Sequence, residues 1–445
     1  GDRAGKKNES GAKNVFIGNL AGYSNTWGDS CVFIGTKSGF SNQAGRSNVF
    51  IGNKSGYSDA YSINNVFIGN NSGFANAGGF DNVFIGNKSG YSNTTGAENI
   101  FIGNKSGYSN TSALNNVFLG NYSGFSNTTG TENIFIGNST GHMNQGGDYD
   151  VFVGHRAGFN NSTGDYNVFM GYKAGEANTT GYSSIYIGHQ AGMLNTTGSA
   201  NVFIGDGAGE MNTTGDVNVF MGMFAGYSNT IGRYNVFIGA RAGEYNETGE
   251  YNVFMGTYAG NSNSSGKYNV LIGMFAGKDN STGSYNTFLG EGAGSVNTTG
   301  QVNTFLGFGA GGSNINGNNN VFVGPGAGAS NKDGTDNVCI GPYSGMFNVS
   351  GTKNVFIGNY AGRDETGSNK LYISNTTTNP SNTLIYGEFD TSVLRLNALT
   401  SIRDALVLQP RETAPATPEK GMLYFDSADD RLKVYDGTTW RTIAW

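Results

Sequence analysis

The chain has 445 residues, of which 74 are Gly, and only 13% are Asp, Glu, Lys or Arg. A Gly share near one in six against a usual ~7% excludes an ordinary globular composition, and 29 Phe with 24 Tyr exclude a disordered chain, which is poor in aromatic residues. The net charge of −6 comes with no cluster of Lys or Arg, so no nucleic-acid footprint is expected, and no apolar run approaches the ~20 residues of a membrane span.

The first element is a polar N-terminal arm, residues 1–13 (GDRAGKKNESGAK). The chain starts at Gly1 with neither Met nor an apolar leader, which fits a processed, exported protein or an excised segment. From Asn14 a 17-residue motif begins, seen clearly in Asn82 to Glu98 as NVFIGNKSGYSNTTGAE. It recurs without insertion until the copy that starts at Asn354, twenty-one copies in all. Positions 5 and 9 are Gly in every copy, and position 8 is always Ala, Ser or Thr. Position 12 is Asn except at Asp59 and Glu365.

A period this short rules out helical hairpin repeats, which need roughly 33 residues. It suits one coil of a β-solenoid. The V-F-I segment favours a strand, and the glycines and the N-T-T-G stretch favour corners. The expected fold is all-β, a β-solenoid or β-roll of twenty-one coils over residues 14–370. Coils stacked ~4.8 Å apart would make a rod on the order of 100 Å long, with position-12 Asn side chains in an amide ladder.

Side chains alternate along a strand, so Val83 and Ile85 share one face and Phe84 takes the other. Both faces are apolar, and a stripe of either kind along a lone rod exceeds the few hundred Å² that monomers normally expose. The position-3 column (Phe16, Phe33, Phe50, Phe67, Phe84, Phe101, Phe118 and onward) is therefore read as an assembly surface. The partner is the chain itself, as a homotrimer or as a helical or head-to-tail polymer. Two alternatives stay open: Phe packed inward with Val and Ile outside, or a flattened coil that buries both faces. A second aromatic column moves from position 10 (Tyr23 to Phe125) to position 17 (Tyr149 to Tyr285).

After Gly362 the repeat decays into a transition segment, residues 371–408. It reads as short strands at Leu371–Ser374 and Leu384–Phe389 around the loop 375–382, then a short helix or strand-and-turn piece from Leu394 to Leu408. A Pro-containing linker, 409–420, precedes a small C-terminal β-hairpin or meander, 421–445, in which Asp436-Gly437 is a strong turn signal.

Nothing in the chain suggests catalysis, a cofactor or a metal site. His155 and His189 share position 6 two coils apart, roughly 10 Å, whereas metal–nitrogen bonds are near 2 Å. His142 stands elsewhere in its repeat. Cys31 and Cys339 occupy unrelated repeat positions and read as free thiols. The Gly-rich units lack the G-K-[ST] ending of a phosphate loop, and no carboxylate pair is set for glycan cleavage. N-x-[ST] sequons mark Asn53, Asn70, Asn87, Asn93, Asn104, Asn127, Asn178, Asn195, Asn212 and Asn297 as candidate glycosylation acceptors, with plain turn chemistry as the alternative.

The NVFIG…AG…N-T-T-G units resemble the repeats of trimeric autotransporter adhesin heads, with a longer coil and Phe where that family has a small residue. The tail stretches Ser368 to Phe389 (SNKLYISNTTT…LIYGEF) and Ala414 to Ile443 resemble C-terminal regions of phage tail-fibre-like and cell-surface fibre proteins from Bacteroidota-type bacteria. The resemblance implies an extracellular or cell-surface β-fibre, or a virion-associated one if phage-derived, and supplies no catalytic residues. The expected function is a structural subunit of a self-assembling fibre, as in a surface appendage or biofilm matrix. The alternatives are an adhesin or tail fibre that binds a cell-surface glycan or receptor, and an ice-binding solenoid, whose Thr array is here displaced to the N-T-T corner.

Overall fold

A three-residue strand has no stability alone and becomes ordered only by pairing with its copies. The computed structural model describes residues 1–376, 380–381, 383–403 and 405–443. In it, twenty-one such strands, β1 (Val15–Ile17) to β21 (Val355–Ile357), run parallel, and each of the first twenty pairs with the strand 17 residues on. The register is strict: Val49 lies on Val66, Phe50 on Phe67 and Ile51 on Ile68. The architecture is a β-solenoid, and all elements among the described residues are strands.

Hydrogen bonds between coils continue around the corners. Val83 N–H donates to Asn99 O at 2.8 Å, and Gly103 N–H donates back to Ile85 O at 2.8 Å. The two invariant glycines have separate reasons. Gly86 sits at φ +137°, and a Cβ there would stand 2.3 Å from the Gly103 carbonyl oxygen of the next coil. Gly90 sits at φ +56°, and its Cβ would stand 2.5 Å from the Phe84 ring. Positions 7 and 17 are also left-handed but carry side chains, as at Lys88 (φ 54°) and Glu98 (φ 59°). Such backbone costs on the order of 1 kcal/mol for a non-Gly residue, and the inter-coil hydrogen bonds hold it in place.

Phe packs inward. From Phe33 to Phe356 the position-3 side chains are no more than 2% exposed. Neighbouring rings stack at 4.8 Å and 4° for Phe84 on Phe101, within the offset-stacked range. The column beginning Phe33, Phe50, Phe67, Phe84, Phe101 and Phe118 is therefore core and not an assembly surface. Phe16, in the first full coil, is half-buried and stacks on Phe33 at 5.3 Å. Position 8 stays small because it faces this column: Ala and Ser there are fully buried, and Ser89 Oγ donates to Phe101 O at 2.8 Å.

Two Asn ladders complete the interior. At position 12, Asn93 Nδ2 donates to Asn76 Oδ1 at 2.7 Å and to Gly96 O at 3.0 Å. At position 1, Asn82 Oδ1 accepts from Asn99 N–H at 3.0 Å, while Asn99 Nδ2 donates to Ala113 O at 2.9 Å. Buried polar groups are thereby paired along the axis, as low-polarity surroundings require.

Asp59 breaks the position-12 ladder. It is fully buried and accepts from Asn76 Nδ2 at 3.0 Å, from Ser62 N–H at 3.2 Å and from the Ser62 hydroxyl. Having no amide donor, it offers nothing to Asn42 Oδ1, which has no hydrogen bond. Burial pushes its carboxyl up to about 6 from 3.8. Between those values the folded chain holds a proton that the unfolded chain has released, so stability falls as pH rises through that window. Asp59→Asn is expected to raise stability by about 3 kcal/mol above pH 6, with the gain disappearing below pH 4. Chemical denaturation across that range checks it; equal pH slopes for both chains would refute it.

The arm at 1–13 is a partial coil. Gly5 (φ 60°) donates N–H to Ala21 O at 2.9 Å, Lys7 to Tyr23 O at 3.1 Å, and Asn25 Nδ2 donates to Asn8 Oδ1 at 2.7 Å. Gly1, Ala4, Gly5, Asn8 and Gly11 occupy positions 5, 8, 9, 12 and 15 of the repeat.

At the other end β22 (Lys370–Ile373) still pairs in parallel, but with Val355 opposite Leu371 the last coil is one residue shorter. Then β23 (Ile385–Glu388) runs antiparallel to it, and β24 (Val393–Leu396) follows. Tyr372 meets Phe356 at 75° and Tyr386 meets Tyr372 at 79°, so the stacked column ends in edge contacts. The chain divides into two compact units, Gly1–Arg395 and Leu396–Trp445. The second contains the expected meander: β25 (Leu423–Asp426), β26 (Arg431–Tyr435) and β27 (Trp440–Thr442), antiparallel throughout. The Asp436 carboxylate closes its second turn by accepting from the Thr438 and Thr439 N–H groups, each at 2.8 Å. Residues 377–379 and 382 of the predicted loop, Asp404, and the meander's end at Ala444 and Trp445 lie outside the described residues.

Candidate assembly face

Turning Phe inward turns positions 2 and 4 outward. Twenty-one coils with two such positions give forty-two side chains, all Val, Ile, Leu or Met except Thr287 and Thr304. None is charged. Ile100 and Ile102 are each 38% exposed, and Met170 and Met221 are 39% and 38% exposed. In-register pairing keeps the two columns continuous, two residues apart on each strand and one coil apart along the axis. The resulting grid covers on the order of 700 Å², and exposed side-chain surface of this length exceeds the patches normal on monomers. Beside it, position 6 supplies a polar margin in the first coils, with Asn53, Asn70 and Asn87 exposed.

The sequon residues fall into two groups. Asn53, Asn70 and Asn87 are exposed and Asn104 is half-buried. Asn93, Asn127, Asn178, Asn195, Asn212 and Asn297 stand in the position-12 ladder with no more than 1% exposure. Their Nδ2 atoms donate within that ladder and to position-15 carbonyls, as for Asn178 to Asn161 Oδ1 at 2.7 Å and Asn127 to Gly130 O at 3.0 Å. A glycan on any of these six is incompatible with the fold.

Aromatic columns follow the outer corners as the sequence indicated. Tyr23 to Phe125 stack at 5.1 to 5.2 Å, and the column continues through His142 to Phe159. Tyr234, Tyr251, Tyr268 and Tyr285 stack at 4.9 to 5.0 Å. His155 and His189 are separated by the Tyr172 ring at 5.5 and 5.3 Å, and His189 pairs with Asp206 at 3.0 Å. Burial lowers the pKa of His142 and raises the Cys31 thiol to about 11; Cys339 is buried in the Phe column and its thiol is raised for the same reason. Both cysteines are free. Among the described residues no group of three or more His, Cys, Asp or Glu is placed to hold a metal ion, and no helix is long and apolar enough to cross a membrane.

No family model, curated protein or solved structure matches the chain.

Proposed function

We propose that the chain is the structural subunit of an extracellular fibre, and that its rods associate laterally with further copies of themselves through the Val/Ile face. The observation that carries this reading is the uncharged two-column face along twenty-one coils. A partner must repeat at the coil spacing to touch it throughout, and a second copy of the chain does so by construction. The grid of roughly 700 Å² per copy is close to the ~800 Å² per partner of a stable interface. The antiparallel β23 supports lateral over head-to-tail growth, because it ends the parallel ladder on which a further coil would stack. The extracellular placement rests on the likeness of the repeats and tail to adhesin-head and surface-fibre sequences. An ice-binding role is less well supported: corner hydroxyls such as that of Thr94 donate to the next coil's carbonyl, here Thr111 O at 2.9 Å. Sedimentation velocity over a concentration series tests the proposal. Mass that rises with concentration is expected; a single-chain species at every concentration would remove its basis.

A further inference from the structure

We infer that a groove on the corner between positions 6 and 11, around coils 16 to 18, binds a saccharide chain. The groove has a volume of about 590 Å³, within the range of ligand sites. It exists because the outer ring column is interrupted. At position 7, Tyr258 and Phe275 stack at 5.6 Å, but the next two coils have Gly292 and Gly309. Nothing lies within 4 Å of where a Cβ would stand on either. Two coils on, Tyr343 lays its ring over Gly326, 2.7 Å from the corresponding point, so the gap is closed again.

The lining suits a ring that is apolar on its faces and hydroxylated at its edge. Phe275 and Phe308 provide flat apolar surfaces, the latter 64% exposed. Around them stand Lys278, Asp279 and Glu291, of which the first two lie 3.8 Å apart. Carboxylates accept from hydroxyl groups and the ammonium donates to them, while C–H faces pack on the phenyl rings. Two carboxylates against one ammonium disfavour an anionic ligand, so the saccharide is neutral. The groove is open at the surface and follows the rod axis, as an extended chain requires. It lies on a corner and not on the strand face, so its failure would leave the assembly proposal standing.

The test is binding of the full chain to immobilised neutral oligosaccharides of the cello, chito and manno series. Gly309→Tyr is the decisive variant: Gly309 has φ +62°, the left-handed setting at which Tyr258 and Phe275 carry side chains at 57° and 59°. Its ring should lie over Gly292 and fill the gap with the solenoid intact, which thermal melting verifies. Wild-type chain is expected to bind at least one series, Phe308→Ala about tenfold more weakly, and Gly309→Tyr not at all. No binding by wild type, or binding that a folded Gly309→Tyr chain retains, overturns the inference.

Discussion

Gly188→Ala, one methyl group in the middle of the rod, is expected to destabilise the solenoid by about 4 kcal/mol or more. Gly188 has φ +141°, a backbone setting that only Gly adopts without strain, and the new Cβ would lie 2.3 Å from the Gly205 carbonyl oxygen. That oxygen is main chain and cannot rotate away. Gly205 is itself held by its N–H bond to Ile187 O at 2.8 Å, so relief means opening the ladder between two coils. In a stack where each coil touches only its neighbours, such a break weakens the coupling of the two halves. Calorimetry should therefore show a lowered melt that separates into two transitions. Thr197→Ala, on an exposed corner of the same coil, should stay within ~0.5 kcal/mol of wild type. A single unshifted transition for Gly188→Ala would mean that the coil stacking is wrong.

Lysine on the strand face is expected to abolish association while leaving the rod folded. Ile102, Ile136 and Ile187 are 36 to 38% exposed, so a Lys at each can direct its ammonium to water in the free rod. Pressed against a second Val/Ile face, the same ammonium has no anionic partner. Burying such a charge unpaired costs several kcal/mol, and in a two-fold contact both copies contribute the defect. The triple variant should sediment as a single chain at concentrations where wild type does not, with an unchanged melting temperature. Association at wild-type strength would place the interface elsewhere.

The repeat, the strand, the Gly corners and the position-12 ladder were all legible in the sequence, because each needs one residue type at one spacing. The orientation of the strand was not. V-F-I is apolar on both sides, so alternation identifies two faces without choosing between them. The choice follows from space. The interior must also hold two Asn ladders and a small residue at position 8, and one inward Phe per coil fills what remains. Outward Phe would leave only Val and Ile to close that volume. The left-handed positions 7 and 17 were hidden because Lys, Arg, Tyr, Glu and Asp occupy them in many coils, and Gly or Asn in only a few. Residues 1–13 read as a polar arm in composition, while their Gly, Ala and Asn spacing continues the motif backward. A partial coil without the V-F-I strand lacks the strongest signal of the repeat. Of the sequons, burial decided which remain candidates, and burial follows from the ladder that the sequence already suggested.

Cryo-electron microscopy of the purified chain tests the central claim most directly. Rods paired along their strand faces, with Val and Ile side chains meeting in a dry seam and Phe inside each rod, are the predicted result. Isolated rods at high concentration, or rods joined through the aromatic corners with the Val/Ile face open to solvent, would contradict it.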